Sequence, residues 1–471
     1  MFLEQIISQT RVDLEQRKCV LPLEELQRLA LAQAATRDLL VALRPRSKAR
    51  ISLIAEVKRA SPSKGVFAPH IDPVELACTY AAHGATAISV LTEPHFFQGS
   101  FEYLAAIRRA VSIPVLCKDF IIDEYQVYEA RAWGADAILL ICAILDKAQL
   151  RRLFKVAHDL RMRCLVEVHT SEEVQRAIEI GAMIIGINSR DLRTFRMNPN
   201  LIRELRPLIP EDHVVVAESG IHTSIDTRRL ARYDVQAMLV GESLVTSQDI
   251  PARIRTLLQG ANESVQVKIC GLRTRDQLLT ARDACADLLG FMFYESSSRY
   301  VQPREARELL KTFEEGQVTP DIVGIFVNKE AEFINDIVEQ VGLHVVQLHG
   351  DEPPEFCTRI KRPVIKGLRL NNMADLSMVK KYDESTWRIL LDTPTVKWGG
   401  TGETHDWNIA RLVAHQTPVF LAGGLTPENV AQAIQRVRPW GVDVSSGVEI
   451  NSYKDPAKIR AFIQNAHIFL Y

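Results

Sequence analysis

The sequence lacks the features that mark several classes of protein. It has no run of five or more Lys or Arg and a formal net charge of -1, so no nucleic-acid partner is expected. Its longest apolar run, residues 137–145, is far shorter than the roughly 20 residues that a membrane span requires. The N-terminus carries acidic residues and no signal-like apolar core. We therefore expect a cytoplasmic protein with no membrane partner.

Paired cysteines are also missing. The chain has eight cysteines, but they are scattered, with no C-x-x-C pair and no nearby Cys/His cluster. This spacing argues against a zinc site and against a disulfide framework, and it is typical of a reducing compartment. No metal site is predicted.

The length and composition of the chain indicate two globular domains. A chain of 471 residues is longer than one hydrophobic core of ordinary size supports. Because 47% of the residues are apolar and 24% are charged, the composition excludes disorder as the main state. Short apolar segments alternate with amphipathic helical stretches, as in parallel α/β folds. Two sets of eight segments are predicted to be strands: 51–58, 87–92, 114–120, 137–144, 163–169, 184–190, 213–220 and 236–244, then 265–271, 288–294, 321–327, 345–350, 363–370, 388–393, 418–424 and 441–447.

Eight strands with intervening helices in about 200 to 250 residues is the count of a closed barrel. A doubly wound open sheet usually has fewer strands, and no G-x-G-x-x-G follows the first strand of either half. We predict two consecutive (β/α)8 TIM barrels. The boundary is expected near LLQGANES (257–264), which gives domains 1–258 and 259–471, and residues 1–50 are predicted to form a helical N-terminal extension.

Ionisable residues stand at the ends of the predicted strands in the first half. They are Glu56, Lys58, Lys118, Glu167 and Glu218. In a (β/α)8 barrel the chemistry lies at the carboxyl ends of the strands. Any one of these residues is more often part of a structural ion pair, but five on four strands of one barrel favour a proton-transfer site.

Longer motifs contain these residues. They are AEVKRASPSKG, PVLCKDFIIDEYQVYEARAWGADAILLI, VEVHTSEE, IGINSRDLRTF, AESGI and LVGESL. Together they resemble the indole-3-glycerol-phosphate synthase family over residues 1–255. The resemblance implies a substrate, 1-(o-carboxyphenylamino)-1-deoxyribulose 5-phosphate, that is closed into an indole ring with loss of carbon dioxide and water.

The same resemblance implies a role for each residue. Lys118 is the expected general acid and Glu167 its partner in dehydration, while Lys58 neutralises the anionic groups of the substrate. Glu56, Asn188 and Glu218 would orient and assist. The implied substrate contacts include an aromatic stacking residue and the phosphate-binding glycines: Ser61, Phe120, Arg190, Ser219, Gly220, Gly241 and Glu242. One departure is Ser189, where the family commonly has a second asparagine.

The second half opens with VKICGLR, in which Cys270 ends a strand. A buried cysteine is usually only a small hydrophobic residue. At a catalytic rim, however, with Asp392 ending the sixth strand, a thiolate and a carboxylic acid suit proton transfer on a sugar. KICGLR, SSSRYV, VQLHG, LLDTPTVKWGGTGETHDW, FLAGGL and DVSSGVE together resemble the phosphoribosylanthranilate isomerase family over residues 265–471.

This second resemblance implies an Amadori rearrangement of N-(5-phosphoribosyl)anthranilate. Asp392 would protonate the ribose ring oxygen, and the Cys270 thiolate would remove the proton from the second carbon of the sugar. Arg299 matches the contact to the anthranilate carboxylate. The implied phosphate site is Gly423, Gly424, Ser446 and Gly447. Ser298 and His405 depart from the family pattern, and His349 fits a structural role as well as a functional one.

Two alternatives stay open from the sequence. A pair of phosphate-binding barrels like those of histidine biosynthesis would show paired aspartates at the strand ends, which this chain replaces with the residues above. A non-catalytic phospho-sugar sensor could keep the double-barrel fold. For either enzyme activity no metal or organic cofactor is needed, and the expected partners are small phosphorylated aminosugars bound by a monomer.

Overall fold

The computed structural model describes residues 2–44, 51–61, 65–66, 71–262, 264–313, 318–369, 376–392 and 407–467. The chain divides into two compact units, Met1–Glu263 and Ser264–Tyr471. Each unit contains one closed barrel of eight parallel strands.

The first barrel closes in the order β1-β10-β9-β8-β7-β6-β5-β4, so that sequence neighbours are also neighbours in space. Its register places Asn188 beside Glu218 at the carboxyl ends of two adjacent strands. A short antiparallel hairpin of β2 and β3 follows the first barrel strand. The strands are β1 (Ser52–Val57), β2 (Ala60–Ser61), β3 (Gly65–Val66), β4 (Ala87–Leu91), β5 (Val115–Lys118), β6 (Ala137–Ile141), β7 (Arg163–Val168), β8 (Ile184–Asn188), β9 (Val214–Glu218) and β10 (Ala237–Val240).

Helices precede and alternate with these strands. Two of these helices begin with capping boxes at Asp123 and Asp146. The aspartate side chain accepts a hydrogen bond from a backbone N–H of the first turn, and the side chain of the glutamine three residues later accepts one from the backbone N–H of the aspartate. The helices of this unit are α1 (Phe2–Val20), α2 (Leu23–Ala32), α3 (Leu39–Leu43), α4 (Pro73–Ala82), α5 (Phe101–Ala110), α6 (Glu124–Ala132), α7 (Lys147–Asp159), α8 (Ser171–Glu179), α9 (Leu201–Leu205), α10 (Ser224–Leu230), α11 (Glu242–Val245) and α12 (Ile250–Asn262).

The second barrel closes in simple sequence order from β11 to β18, and a two-stranded antiparallel sheet of β19 and β20 follows it. The strands are β11 (Gln266–Cys270), β12 (Leu288–Met292), β13 (Asp321–Phe326), β14 (Val345–Leu348), β15 (Val364–Leu368), β16 (Arg388–Asp392), β17 (Val419–Ala422), β18 (Gly441–Val444), β19 (Glu449–Ile450) and β20 (Tyr453–Lys454). The helices are α13 (Arg275–Asp283), α14 (Pro303–Leu310), α15 (Ala331–Val341), α16 (Pro354–Cys357), α17 (Leu376–Tyr382), α18 (Trp407–Ala414), α19 (Val430–Val437) and α20 (Pro456–Ala466).

Each barrel has two layers of apolar side chains, one inside the barrel and one between strands and helices. Helix α3 closes the amino end of the first barrel, where Leu39 and Leu43 are fully buried against strand residues such as Ala87 and Val214. Apolar side chains therefore fill the amino end of the barrel, and polar residues can occupy its carboxyl end.

The predicted fold class is confirmed. Both predicted sets of strands overlap the observed barrel strands, although every observed barrel strand ends one to four residues before the predicted end. Helix α12 continues to Asn262, past residue 258, and the two units divide between Glu263 and Ser264. In the described part of the chain, no helix combines the length and the apolar character that a membrane crossing needs.

Candidate active sites

An open cavity, about 1050 Å³ with the solvent at its mouth included, lies at the carboxyl ends of the strands of the first barrel. One part of its wall is polar and is formed by strand-end residues that include Glu56, Lys118 and Glu167. The other part is apolar and aromatic: Leu91, Phe97, Phe120, Leu139, Ile141, Leu192, Phe195, Ile221, Leu239 and Val240. Such a cavity suits a ligand that joins a flat ring to an anionic chain.

Lys118 ends β5 and lies between two carboxylates. Its Nζ is 3.1 Å from Glu218 Oε2 and 3.3 Å from Glu56 Oε2. The other oxygen of Glu56 is 2.9 Å from Lys58 Nζ, so Glu56 contacts both lysines. Glu56 and Glu218 are buried, and each lies on a barrel strand, Glu56 on β1 and Glu218 on β9.

The charges in this cluster set one another's pKa values. Burial alone would lower the pKa of Lys118, but Glu56, Glu218 and Glu167 outweigh burial and raise it above the ordinary value. Burial alone would raise the pKa of Glu56, but the two lysines outweigh burial and lower it to about 2. Burial, together with Glu167 and Glu56, raises the pKa of Glu218 to about 7 despite Lys118. Lys118 therefore carries its proton at neutral pH.

Glu167 contributes a buried carboxylate oxygen that accepts no hydrogen bond from the described residues. Among the residues that the structure describes, Glu167 Oε1 and Glu218 Oε1 are buried and have no hydrogen bond. His169 lies nearby, with Nε2 3.6 Å from Glu167 Oε1 and Nδ1 3.5 Å from Glu173 Oε2. Burial opposes charge on His169, but Glu173 and Glu167 outweigh it and raise its pKa. Buried polar atoms without partners are expected where a substrate supplies the missing contact.

Local hydrogen bonds position the remaining predicted residues. Asp119 Oδ1 accepts from the backbone N–H of Phe120, and Asp119 Oδ2 accepts from Thr92 Oγ1, which fixes the loop that carries the Phe120 ring. Asn188 Oδ1 accepts from the N–H of Arg190. At the seventh strand, Ser219 and Gly220 both adopt positive φ, 67° and 72°, so the chain turns sharply at the predicted phosphate site.

Most of the predicted residues of the first site share this cavity. Those that line it are Glu56, Lys58, Lys118, Phe120, Glu167, Asn188, Arg190, Ser219, Gly220, Gly241 and Glu242. Glu218 does not line the cavity, because it lies behind Lys118 with a side chain only 1% exposed. The side chain of Ser61 lies outside the described residues. Ser189 is buried away from the cavity, and its backbone bonds Glu218 and Asn198.

Two buried glycines make room for these carboxylates. A side chain at Gly186 would meet Glu218 Oε1, and one at Gly241 would meet Glu56 Oε1 at 2.6 Å. The two carboxylates therefore occupy space that these glycines leave open, Gly186 within β8 and Gly241 directly after β10.

In the second barrel, Cys270 ends β11 and is buried. Gly271 follows it with φ of 76°, and any side chain there would meet Arg299 Cδ at 2.6 Å, so Arg299 lies close over the residue after the thiol. The Arg299 guanidinium forms two parallel bonds to Glu449, from Nε at 2.7 Å and from Nη2 at 2.6 Å. Lys454 Nζ also binds Glu449, at 2.7 Å. Arg299 is thus held in place by an ion-pair network.

Asp392 ends β16 and contacts a histidine. Its Oδ2 is 3.4 Å from His349 Nε2 and 3.9 Å from Arg369 Nε. The ring of His349 fills the space that Gly367 leaves on the next strand. The G-G-T-G loop and His405 fall within 393–406, outside the described residues.

The predicted phosphate residues of the second barrel come together. Gly423 and Gly424 follow β17 with φ of 80° and 66°. Ser446 and Gly447 lie in a 3₁₀ turn after β18, and a side chain at Gly447 would meet the carbonyl of Leu425. The two loops therefore pack against each other. In the loop that carries Arg299, the backbone carbonyl of Ser298 accepts a hydrogen bond of 2.8 Å from Arg273 Nη1.

Several residues of these sites were not predicted from the sequence. They are Phe97, Asp119 and His169 in the first barrel and Glu449 and Lys454 in the second. Two of them lie within motifs that the sequence analysis identifies, Glu449 in DVSSGVE and His169 in VEVHTSEE. An isolated Glu or His in a motif does not reveal its partner, so only the folded chain identifies it.

The two barrels match the models of two different protein families. Residues 3–257 match the model described as "Indole-3-glycerol phosphate synthase". Residues 267–465 match the model described as "N-(5'phosphoribosyl)anthranilate (PRA) isomerase". The first match covers more than half of the chain.

Relatives cover both barrels. A multifunctional tryptophan biosynthesis protein of Phycomyces blakesleeanus is 36% identical over 88% of this chain and 62% of its own length. The tryptophan biosynthesis protein TrpCF of Yersinia pestis is 39% identical over 88% of this chain and 85% of its own length. The solved phosphoribosyl anthranilate isomerase of Thermotoga maritima is 42% identical, covers 43% of this chain and 98% of its own, and has a TM-score of 0.40. The chain spans about three fifths of the length of the Phycomyces relative.

Proposed function

The chain belongs to the indole-3-glycerol phosphate synthase family, with a second unit of the N-(5'phosphoribosyl)anthranilate isomerase family, and we propose that it is a bifunctional enzyme of tryptophan biosynthesis. The second barrel would isomerise N-(5-phosphoribosyl)anthranilate to 1-(o-carboxyphenylamino)-1-deoxyribulose 5-phosphate. The first barrel would close that product to indole-3-glycerol phosphate, with loss of carbon dioxide and water.

The observation that carries the synthase proposal is the position of Lys118 between Glu56 and Glu218 at the wall of one cavity. Ring closure needs a proton delivered to a carbonyl oxygen, and an ammonium with a raised pKa holds that proton until negative charge develops on the oxygen. Glu218 can then restore the proton to Lys118, because its own pKa is raised to about 7 by burial.

Other groups in the cavity have complementary roles in this proposal. Phe97 and Phe120, with ring centroids 6.1 Å apart, would contact the anthranilate ring. Lys58 and Arg190 would bind its carboxylate and neighbouring anionic groups, with Ser61 as a further contact. Asn188 would orient the sugar chain, and Glu167 Oε1, which accepts no hydrogen bond from the described residues, would exchange a proton with the departing hydroxyl. The backbone of Ser219, Gly220, Gly241 and Glu242 would hold the phosphate.

For the isomerase, Asp392 would act as the acid that opens the ribose ring and Cys270 as the base that removes the proton from the second carbon. Two of the five N–H donors of Arg299 bind Glu449, so three stay available for the anthranilate carboxylate. Gly423, Gly424, Ser446 and Gly447 would bind the phosphate. We further propose that the enzyme is a cytoplasmic monomer that requires no metal or cofactor.

The test uses the intrinsic fluorescence of anthranilate. Adding the protein to N-(5-phosphoribosyl)anthranilate should abolish the emission as indole forms, and each of the two substrates supplied alone should be consumed. Growth without tryptophan should return to hosts that lack either activity. Unchanged emission with both substrates would favour the phospho-sugar sensor, an alternative that the comparisons do not support.

A further inference from the structure

Lys268 is a charged residue inside the second barrel, below the thiol of Cys270. On β11, Val267 and Ile269 pack in the layer between strands and helices, so Lys268 and Cys270 face the barrel interior. Lys268 has no exposed surface. An ammonium in this position loses its hydration, and the loss must be offset by specific partners.

The partner of Lys268 is Asp443. The two residues are direct neighbours in the register of β11 and β18, and Lys268 Nζ lies 2.9 Å from Asp443 Oδ1. A buried ion pair is seldom more stable than apolar residues of the same volume, so stability alone does not explain this pair. Asp443 takes one of the three N–H donors of the ammonium. The positive charge of Lys268 acts on the Cys270 thiol, which lies two residues further along the same face of β11.

Other charges face the thiol from neighbouring elements, and they are already engaged. Lys454 on β20 binds Glu449 and the carbonyl of Ser445, and Arg299 after β12 forms its two bonds to Glu449. The apolar cluster that includes Cys270 in the described barrel interior adds no charge, and its other buried members are Leu288, Val323, Ile325, Val345, Ile365, Leu390, Phe420 and Ala422. Lys268 is therefore the cation best placed to meet a sulfur that loses its proton.

We propose that Lys268, held by Asp443, is a positioning residue that stabilises the thiolate form of Cys270. When the thiol loses its proton, the ammonium donates an N–H to the sulfur in a charge-assisted hydrogen bond. Burial raises the pKa of Cys270 and Lys268 opposes that effect, so the lysine keeps a buried thiol usable as a base. The proposal rests on the proposed role of Cys270 in the isomerase and extends it to a residue that never touches substrate.

A titration of the thiol tests this without substrate. The thiolate absorbance of Cys270 is taken as the difference between each protein and the same protein with Cys270→Ser. Lys268→Met should move the midpoint upward by about one pH unit or more. Lys366→Met is the matched control, because Lys366 is equally buried in an ion pair of 2.7 Å with Glu352 but lies on β15, and it should leave the midpoint unchanged. An unchanged midpoint in Lys268→Met overturns the proposal.

Asp443→Asn should shift the titration midpoint of the Cys270 thiol in the opposite direction to Lys268→Met. Removing this carboxylate deletes a charge that disfavours the thiolate, so the midpoint should move downward. A purely structural role of the ion pair would shift both variants in the same direction. If Lys268→Met does not fold, Lys268→Gln replaces it, because glutamine keeps a polar side chain but removes the charge, and an unchanged midpoint in that variant overturns the proposal.

The pH dependence of isomerase kcat/KM provides an independent arm. Its rising limb should follow the thiol midpoint in both variants. If the thiol shifts as expected but the unsubstituted protein lacks isomerase activity, the proposed function fails and the coupling of Lys268 to Cys270 stands. If the activity is present and the midpoint does not move, the inference alone fails.

Discussion

At the scale of single residues, Glu56 balances the charge of the first site. It contacts Lys58 at 2.9 Å and Lys118 at 3.3 Å, and its side chain is 5% exposed. The two lysines lower its pKa to about 2 against the effect of burial. Glu56 therefore stabilises the folded chain only in its ionised form.

We predict that Glu56→Gln removes about 3 kcal/mol from the free energy of unfolding at neutral pH. A carboxyl whose folded pKa is depressed contributes stability above its ordinary pKa of about 4.5, and that contribution disappears as the pH falls toward 2. Urea unfolding of both proteins at about pH 7 and pH 3 measures the effect, which should shrink at the lower pH. Glu25→Gln, in an exposed pair with Arg28, is the control and should change little. Parallel pH curves for Glu56→Gln and the unsubstituted protein would contradict the prediction.

Arg299 offers a second test at this scale. Arg299→Lys keeps the charge but loses the planar fork, so the KM of the isomerase should rise about tenfold with little change in kcat. Steady-state kinetics measure both constants. Arg304→Lys, on the exposed surface of α14, is the matched control. A fall in kcat at constant KM would show that Arg299 acts on the reacting atoms instead.

Sequence reasoning at the residue scale works where position in the strand decides the role. Lys118 and Glu167 are placed at the cavity by the rule that chemistry lies at the strand ends. Glu218 obeys the same rule but lies behind Lys118, because packing depth is not encoded in strand position. Asp443 and Lys268 meet only through the register of two strands far apart in sequence, so no local pattern reveals the pair.

At the scale of elements, helix α3 is a plug at the amino end of the first barrel. Leu43 and Leu39 are fully buried, whereas Val41 on the same helix is 68% exposed. Asp38 caps this helix and also binds Arg163 at the start of β7, which ties the plug to the strands.

We predict that Leu43→Ala destabilises the first unit by about 2–5 kcal/mol, because it leaves a cavity among the strand ends. Chemical denaturation measures this loss, and the kcat of the synthase should change little because the plug is at the opposite end of the strands. Val41→Ala is the control on the same helix and should cost less than about 0.5 kcal/mol. Equal destabilisation by the two substitutions would show that α3 does not fill the barrel.

The barrel strands were predictable because apolar segments between helices repeat regularly along the chain. The hairpin of β2 and β3 and the pair of β19 and β20 were not predicted. Each is two residues per strand and exposes part of its surface, so it leaves no apolar run in the sequence.

At the scale of the whole molecule, the chain consists of two units that each have their own core and their own candidate site. Lys118→Ala should lower ring closure about 10²–10⁴-fold while isomerisation continues, and Cys270→Ala should do the reverse. Assays with each substrate supplied separately measure the two activities, and each variant serves as the control for the other. Loss of both activities in one folded variant would contradict independent sites.

Gly186 and Gly367 within strands, and Gly241 directly after β10, each leave space that a polar side chain at the end of a neighbouring strand fills. Even the smallest replacement, alanine, would compete with Glu218, Glu56 or His349 for the same volume. In a saturation survey of this chain, these three plain interior positions should tolerate as few amino acids as the ionisable groups beside them. The substitutions that such a glycine tolerates are therefore limited by the volume of the neighbouring side chain, and the glycine itself takes no part in any chemistry.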